Sequence, residues 1–219
     1  MSLTAVLIGS TGLVGSSLLK QLLANKAFDK VVAFSRRPIT QQHPKLKNIV
    51  IDFSLADQYA DQVKGDVFFS CLGTTKKQAG SIAAQRIVDL DYQLAFARIA
   101  AANNIPHYCL VSSSGANTKS SAAYMKMKGE LEEHVKQLDF QRVSIFQPSL
   151  LLGQRLEHRL GETLGAVFLP ALCRLPGLQR YRPIKGEQVA TKMLETALTS
   201  GQGLQTFTLD KVFPMAGRD

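Results

Sequence analysis

Short apolar runs alternating with longer segments of helical periodicity constrain this chain more than any other feature. Ala5–Gly9 is followed by Ser16–Phe28, then by Val31–Ser35, Asn48–Phe53 and Asp66–Gly73. Runs rich in Val, Ile and Phe are typical of strands buried on both faces, as in a parallel sheet with helical crossovers. The rhythm continues through a helix from Ala83 to Asn103, a strand His107–Ser114, a helix Ala122–Leu138 and a strand Val143–Gly153. Counting Leu204–Asp210 as well gives seven strands. No repeat, low-complexity tract or Gly/Ser/Pro-rich linker divides the chain. The pattern predicts one doubly wound α/β domain, a Rossmann fold over residues 1–219, with an irregular substrate-side segment at 154–186.

Composition narrows the class. With 45% hydrophobic and 20% charged residues the chain is ordinary globular protein. The longest uncharged apolar run, Thr163–Cys173, contains Pro170 and falls short of the roughly 20 residues that span a bilayer. Ala5–Ile8 has neither the basic lead nor the length of a signal peptide, so a cytoplasmic location is expected. Cys71, Cys109 and Cys173 are odd in number and far apart, and His43, His107, His134 and His158 are scattered, so no metal site is expected. The net charge of +9 invites a phosphate ligand, an anionic membrane or nucleic acid.

Directly after the first strand stands Gly9-Ser10-Thr11-Gly12-Leu13-Val14-Gly15, a GxxGxxG turn that opens the first helix. In that position glycines have distinct uses: Gly9 for the tight turn, Gly12 for close approach of a pyrophosphate and Gly15 for close helix packing. NAD-binding folds place an acidic residue at the end of the second strand to hold the adenosine ribose. Here the place reads Ser35-Arg36-Arg37, and guanidinium groups suit the 2′-phosphate of NADP. NADP (NADPH) is therefore the expected cofactor. At the end of the third strand Asp52 and Phe53 could reach the adenine, or Asp52 could cap a turn.

Tyr124 and Lys128 stand four apart in a predicted helix, on one face. Tyr181 and Lys185 have the same spacing, but Pro183 lies between them and no serine-ended strand precedes them. Tyr124 does follow such a strand, ending Ser112-Ser113-Ser114-Gly115. A lysine ammonium beside a phenol lowers its pKa, which makes Tyr124 a usable proton donor and acceptor in carbonyl reduction or alcohol oxidation. Ser113 is the best candidate to hold the substrate oxygen, with Ser112 and Ser114 as alternatives.

Together, Gly9–Gly15, Asp52, Ser70-Cys71-Leu72-Gly73-Thr74-Thr75, Val88–Tyr92, Ser113, Tyr124 and Lys128 resemble the atypical short-chain dehydrogenase/reductases. Within that superfamily the CLGTT strand end, the SSSGANTKSS loop and the YMKMKGE helix start are most similar to the group of the Tat-interacting oxidoreductase and its small bacterial relatives. The likeness spans residues 4–153. It implies a Rossmann domain with NADP(H), in which Leu72, Gly73 and Thr74 pass near the cofactor ribose. Asp91 falls where many short-chain reductases have an asparagine that supports the active lysine, a departure from the usual proton relay.

After Gly153 the chain mixes leucines with basic side chains, expected to cover an apolar substrate or to meet a dimer partner. Arg155, Arg159, Arg174, Arg180 and Arg182 would also suit a peripheral anionic membrane contact, while few aromatics interleave with them as single-stranded nucleic acid would require. Two function classes follow. The first is an NADP-dependent oxidoreductase acting on a small, partly apolar molecule. The second is an NADP(H)-binding regulator that signals to a protein partner with little turnover. A nucleotide-sugar epimerase is disfavoured, since 66 residues after Gly153 are few for a substrate domain.

Overall fold

The computed structural model describes residues 2–152 and 179–215. Seven parallel strands form one sheet in the order β3-β2-β1-β4-β5-β6-β9. They are β1 Leu3–Ile8, β2 Phe28–Ser35, β3 Leu46–Val50, β4 Val67–Ser70, β5 His107–Val111, β6 Arg142–Gln147 and β9 Gly203–Thr208. The strand count and the doubly wound fold are as the apolar rhythm predicts. The chain reverses direction across the sheet between β1 and β4, and such folds bind ligands beyond the strand ends at that switch point.

Alternation along β1 sorts the core into two layers. Ala5 and Leu7 face α1 (Leu13–Ala24) and α6 (Gly186–Leu198), joining Leu18, Leu22, Val189 and Met193 in one cluster. Val6 and Ile8 face the opposite layer, made by the 3-10 segment Phe53–Gln62, α4 (Tyr92–Ala102) and α5 (Ala123–Lys136), around Phe96, Tyr108 and Leu131. Two short helices, α2 (Lys76–Ala79) and α3 (Ile82–Arg86), follow β4.

Several element boundaries differ from the periodicity. Ser16–Phe28 is not all helix: α1 closes at Ala24, the Asn25 side chain accepts from Ala27 N at 2.8 Å, and Phe28 begins β2. β3 stops at Val50, because Asp52 turns the chain by accepting from Ser54 N at 2.9 Å. The predicted helix from Ala83 to Asn103 is interrupted by a π turn at Ile87–Asp91. The long strand Val143–Gly153 ends at Gln147, where Pro148 offers no N–H to the ladder. Leu151–Leu152 (β7) then pairs separately with Ile184–Lys185 (β8). Of the segment 154–186, residues 154–178 lie outside the described residues, together with Arg155, Arg159, Arg174, His158 and Cys173.

Candidate cofactor cleft and proton-transfer site

A cleft of ≈ 720 Å³ opens beyond the ends of β1, β2 and β4. Gly9, Ser10, Thr11 and Gly12 form its floor, Ser35, Arg36, Arg37 and Phe53 one side, and Leu72, Gly73 and Thr74 the other. No carboxylate lines it among the described residues.

The three glycines of the first turn answer to three different constraints. Gly9 has φ +80°, and a Cβ there would fall 2.4 Å from the Cys71 backbone. A Cβ on Gly15 would lie 2.1 Å from the Gly9 carbonyl oxygen, so α1 sits directly on the turn. Gly12 is different: its backbone is extended, and its nearest contact would be the Gly9 oxygen at 3.3 Å. Its missing side chain leaves room in the cleft.

No side chain caps α1 and no acidic residue stands in its first turn, so the positive helix end faces the cleft uncompensated. The buried Ser10 hydroxyl has no partner among the described residues. Both observations fit a bound pyrophosphate. Leu13, Val14 and Gly15 do not line the cleft: Leu13 is exposed and Val14 is in the core.

At the β2 end, Arg36 and Arg37 are exposed cleft residues, whereas the Ser35 hydroxyl is buried and donates to Arg37 O at 2.7 Å. Of the two readings of Asp52, the structure displays the cap. Its carboxylate accepts from Ser54 Oγ and N, which hold it below the usual carboxylate pKa, and only Phe53 lines the cleft. Burial pushes the Cys71 thiol up to about 12, so this cleft residue is a thiol at neutral pH.

The proton-transfer candidates stand beside the cleft, not in its lining. Tyr124 is half-buried in the first turn of α5, and Lys128 follows one turn later with Nζ 5.9 Å from the tyrosine ring centre. Helix α5 is seated by Gly129, where a Cβ would meet Thr118 N at 2.5 Å, and by Asn117 N, which donates to Met125 O at 3.0 Å. The serine-rich loop thus leans on the helix that carries Tyr124.

Asp91 does not support the lysine: it is exposed. The partner is Asp89, whose Oδ1 lies 3.3 Å from Lys128 Nζ, with side chains 1% and 3% exposed. Asp89 Oδ2 accepts from Thr74 N at 2.9 Å, and its carbonyl accepts from Gln93 Nε2 at 2.7 Å. One residue therefore joins the lysine to the cleft wall.

The serines also separate. Ser112 is buried and donates its hydroxyl to Glu132, which further accepts from Gln147 Nε2 at 2.9 and 3.0 Å. Ser113 is half-buried with only a 3.5 Å contact to Ser114 O, which leaves it the freer hydroxyl. Tyr181 and Lys185 fall in a 3-10 turn and in β8, so they share no helix face. Arg180 packs over Tyr181, and Arg182 over Phe213.

Sequence reasoning assigned no role to Asp89, Glu132, Gln147 or Gly129, although Asp89 and Gly129 stand in stretches that carry the resemblance. Glu132 had a signal, since 124, 128 and 132 repeat at helical spacing. The cleft residues Gln78 and Ala79 had none.

A family model described as NAD(P)H-binding matches residues 9–159. The chain belongs to this NAD(P)H-binding family. Among its relatives, Protein HTATIP2 of Rattus norvegicus is 36% identical over 217 residues, covering 97% of this chain and 88% of that one. Protein FMP52, mitochondrial, of Candida glabrata is 35% identical over 205 residues, covering 91% and 87%. The fungal name includes a compartment other than the expected cytoplasm; among the described residues no helix is long and apolar enough to cross a membrane.

Solved structures share the family's fold at low identity. The Bordetella bronchiseptica enzyme WbmH in complex with NAD+ aligns at TM-score 0.71 and 14% identity, over 95% of this chain and 76% of that one. A short-chain dehydrogenase/reductase superfamily protein from Agrobacterium tumefaciens with bound NAD aligns at 0.70 and 14%, over 94% and 77%. At such identity the likeness is one of fold.

Proposed function

We propose that this chain is an NADP(H)-dependent oxidoreductase acting on the carbonyl or alcohol of a small molecule. The observation that carries this reading is the cleft beyond β1, β2 and β4, lined by Arg36 and Arg37 and by no carboxylate among the described residues. An acidic residue there would repel a 2′-phosphate, whereas a guanidinium binds it through charge-assisted hydrogen bonds. Gly9–Gly12 and the free end of α1 would hold the pyrophosphate, and Leu72–Thr74 the ribose side.

When bound, the nicotinamide supplies or receives hydride. The chain's own part is the proton. In reduction Tyr124 gives its phenolic proton to the carbonyl oxygen as carbon accepts hydride, and in oxidation it takes the proton of the alcohol. Ser113 holds that oxygen, and Lys128, fixed by Asp89, stands beside the phenol.

Titration with NADPH and NADH at low salt tests the cofactor. NADPH should bind at least about tenfold more tightly, and Arg36→Ala should weaken NADPH while leaving NADH nearly unchanged. Equal dissociation constants in the wild type would overturn it.

A second reading has support from the lysine. Lys128 is already paired with the buried Asp89 carboxylate, so its ammonium is not left free to serve Tyr124 alone. That suits an NADP(H)-responsive regulator with little turnover. Tight NADPH binding without activity on a broad set of aldehydes and ketones would favour it.

A further inference from the structure

The arginine turn carries no repeating hydrogen-bond pattern of its own, yet a single side chain from the neighbouring strand ties it down. Asn48, in the middle of β3, is half-buried and uses both ends of its amide. Nδ2 donates to Ala33 O at 3.0 Å and to Ser35 Oγ at 2.8 Å. Oδ1 accepts from Ile39 N at 2.8 Å. Ser35 Oγ in turn donates to Arg37 O at 2.7 Å.

The circuit closes on both flanks of the arginines. It fixes Ser35 before them, the Arg37 carbonyl within them and Ile39 after them. Asn48 itself does not line the cleft, whereas Arg36, Arg37 and Pro38 do. A guanidinium on a flexible stem binds a phosphate well only where its backbone is held in place, because ordering the turn upon binding would consume part of the interaction. Asn48 provides that order in advance, and only an amide fits, since the position needs two donors and an acceptor at once.

We infer that Asn48 is a positioning residue for cofactor selection: it presets the Arg36–Arg37 turn for the 2′-phosphate without touching the cofactor. This rests on the NADP(H) reading above. It goes further in assigning the preference to a residue outside the cleft.

The test is a double-mutant cycle on cofactor affinity, read by fluorescence titration of the intact protein with NADPH and with NADH. Asn48→Ala should lower the ratio of NADPH to NADH affinity about fivefold or more, with NADH binding held within about twofold. In an Arg36→Ala/Arg37→Ala background the same substitution should change the ratio no further. Asn48→Leu keeps the volume and adds no charge but loses the amide, so it should reproduce the loss in ratio even if the alanine variant folds poorly.

An unchanged ratio in a wild type that prefers NADPH would overturn the role of Asn48 alone. So would an equal loss for both cofactors, or a full additional effect in the double-arginine background. Equal affinities in the wild type would instead overturn the NADP(H) reading, and this inference with it.

Discussion

Around the first glycine turn the molecule is shaped by side chains that are missing, and around Tyr124 by side chains that are buried. Gly9 and Gly15 let backbone touch backbone, and Gly12 leaves space for a ligand. On the other half of the sheet Asp89 holds Lys128, and Glu132 gathers Ser112 and Gln147. The cofactor half thus gains its shape from local backbone geometry, while the proton-transfer half depends on polar pairs brought together from distant elements. Steric limits are insensitive to solution conditions. Buried polar pairs are costly when broken.

The largest test breaks the pair in the second half. Asp89→Ala would leave the Lys128 ammonium buried and unpaired, with an expected loss of about 3–5 kcal/mol in urea unfolding. Asp89→Asn, which keeps an acceptor, should cost less. A loss near zero for the alanine variant would remove the contrast between the halves.

In the first half two glycines of one turn should behave differently. Gly15→Val drives a side chain into the Gly9 carbonyl and should destabilise the apoprotein on the order of 3 kcal/mol. Gly12→Val should fold close to normally but lose the ligand response. The wild type should gain about 2.7 kcal/mol at NADPH a hundredfold above Kd, visible as a raised Tm, and this variant almost none. A Gly12→Val protein stabilised to the wild-type degree would make the turn purely structural.

Tyr124→Phe keeps the ring and removes the proton. Once a carbonyl substrate is in hand, kcat should fall by about 10²-fold with cofactor affinity little changed. Full turnover in this variant would end the role assigned to Tyr124.

The most gradual effect is in the pH response. His107 is buried beside Ser144 Oγ at 2.9 Å, and burial, with the Arg142 charge nearby, lowers its pKa to about 3. An unfolded histidine titrates near 6.5, so between these values the unfolded chain binds the extra proton. The stability contribution is complete above about pH 6.5 and is lost as pH falls toward 3, at up to about 1.4 kcal/mol per pH unit. Melting between pH 4 and 8 should show this slope, and His107→Gln should flatten it.

The same division governs what could be read from the sequence. Apolar runs of strand length gave the strand order its raw material, and GSTGLVG declared its use because it lies between a strand and a helix. Arg36 and Arg37 were visible for the same reason, being local to a strand end. Asp89 was not, because its lysine partner lies on another helix and no spacing within its own segment reports the contact. The resemblance directs attention to the neighbouring carboxylate, Asp91, instead. Asn48 was hidden because its partners lie on another strand, and no spacing within its own strand reports them. Ser112 is set apart from Ser113 by its bond to Glu132, a contact made at a separation of 20 residues.

The chain from Ser112 through Glu132 and Gln147 ends on β9, where Thr208 Oγ1 donates to Gln147 Oε1 at 3.1 Å across 61 residues of sequence. β9 joins β6 in parallel, from Arg142 opposite Gly203 to Gln147 opposite Thr208. Such a pairing must close a long loop before any of its hydrogen bonds form, which makes it a slow, late step in folding. During synthesis the glycine turn and its three neighbouring strands are complete long before the ribosome has delivered Thr208. The cofactor half can therefore mature on the nascent chain, whereas the serine end of β5 acquires its last restraint only after Thr208 has emerged.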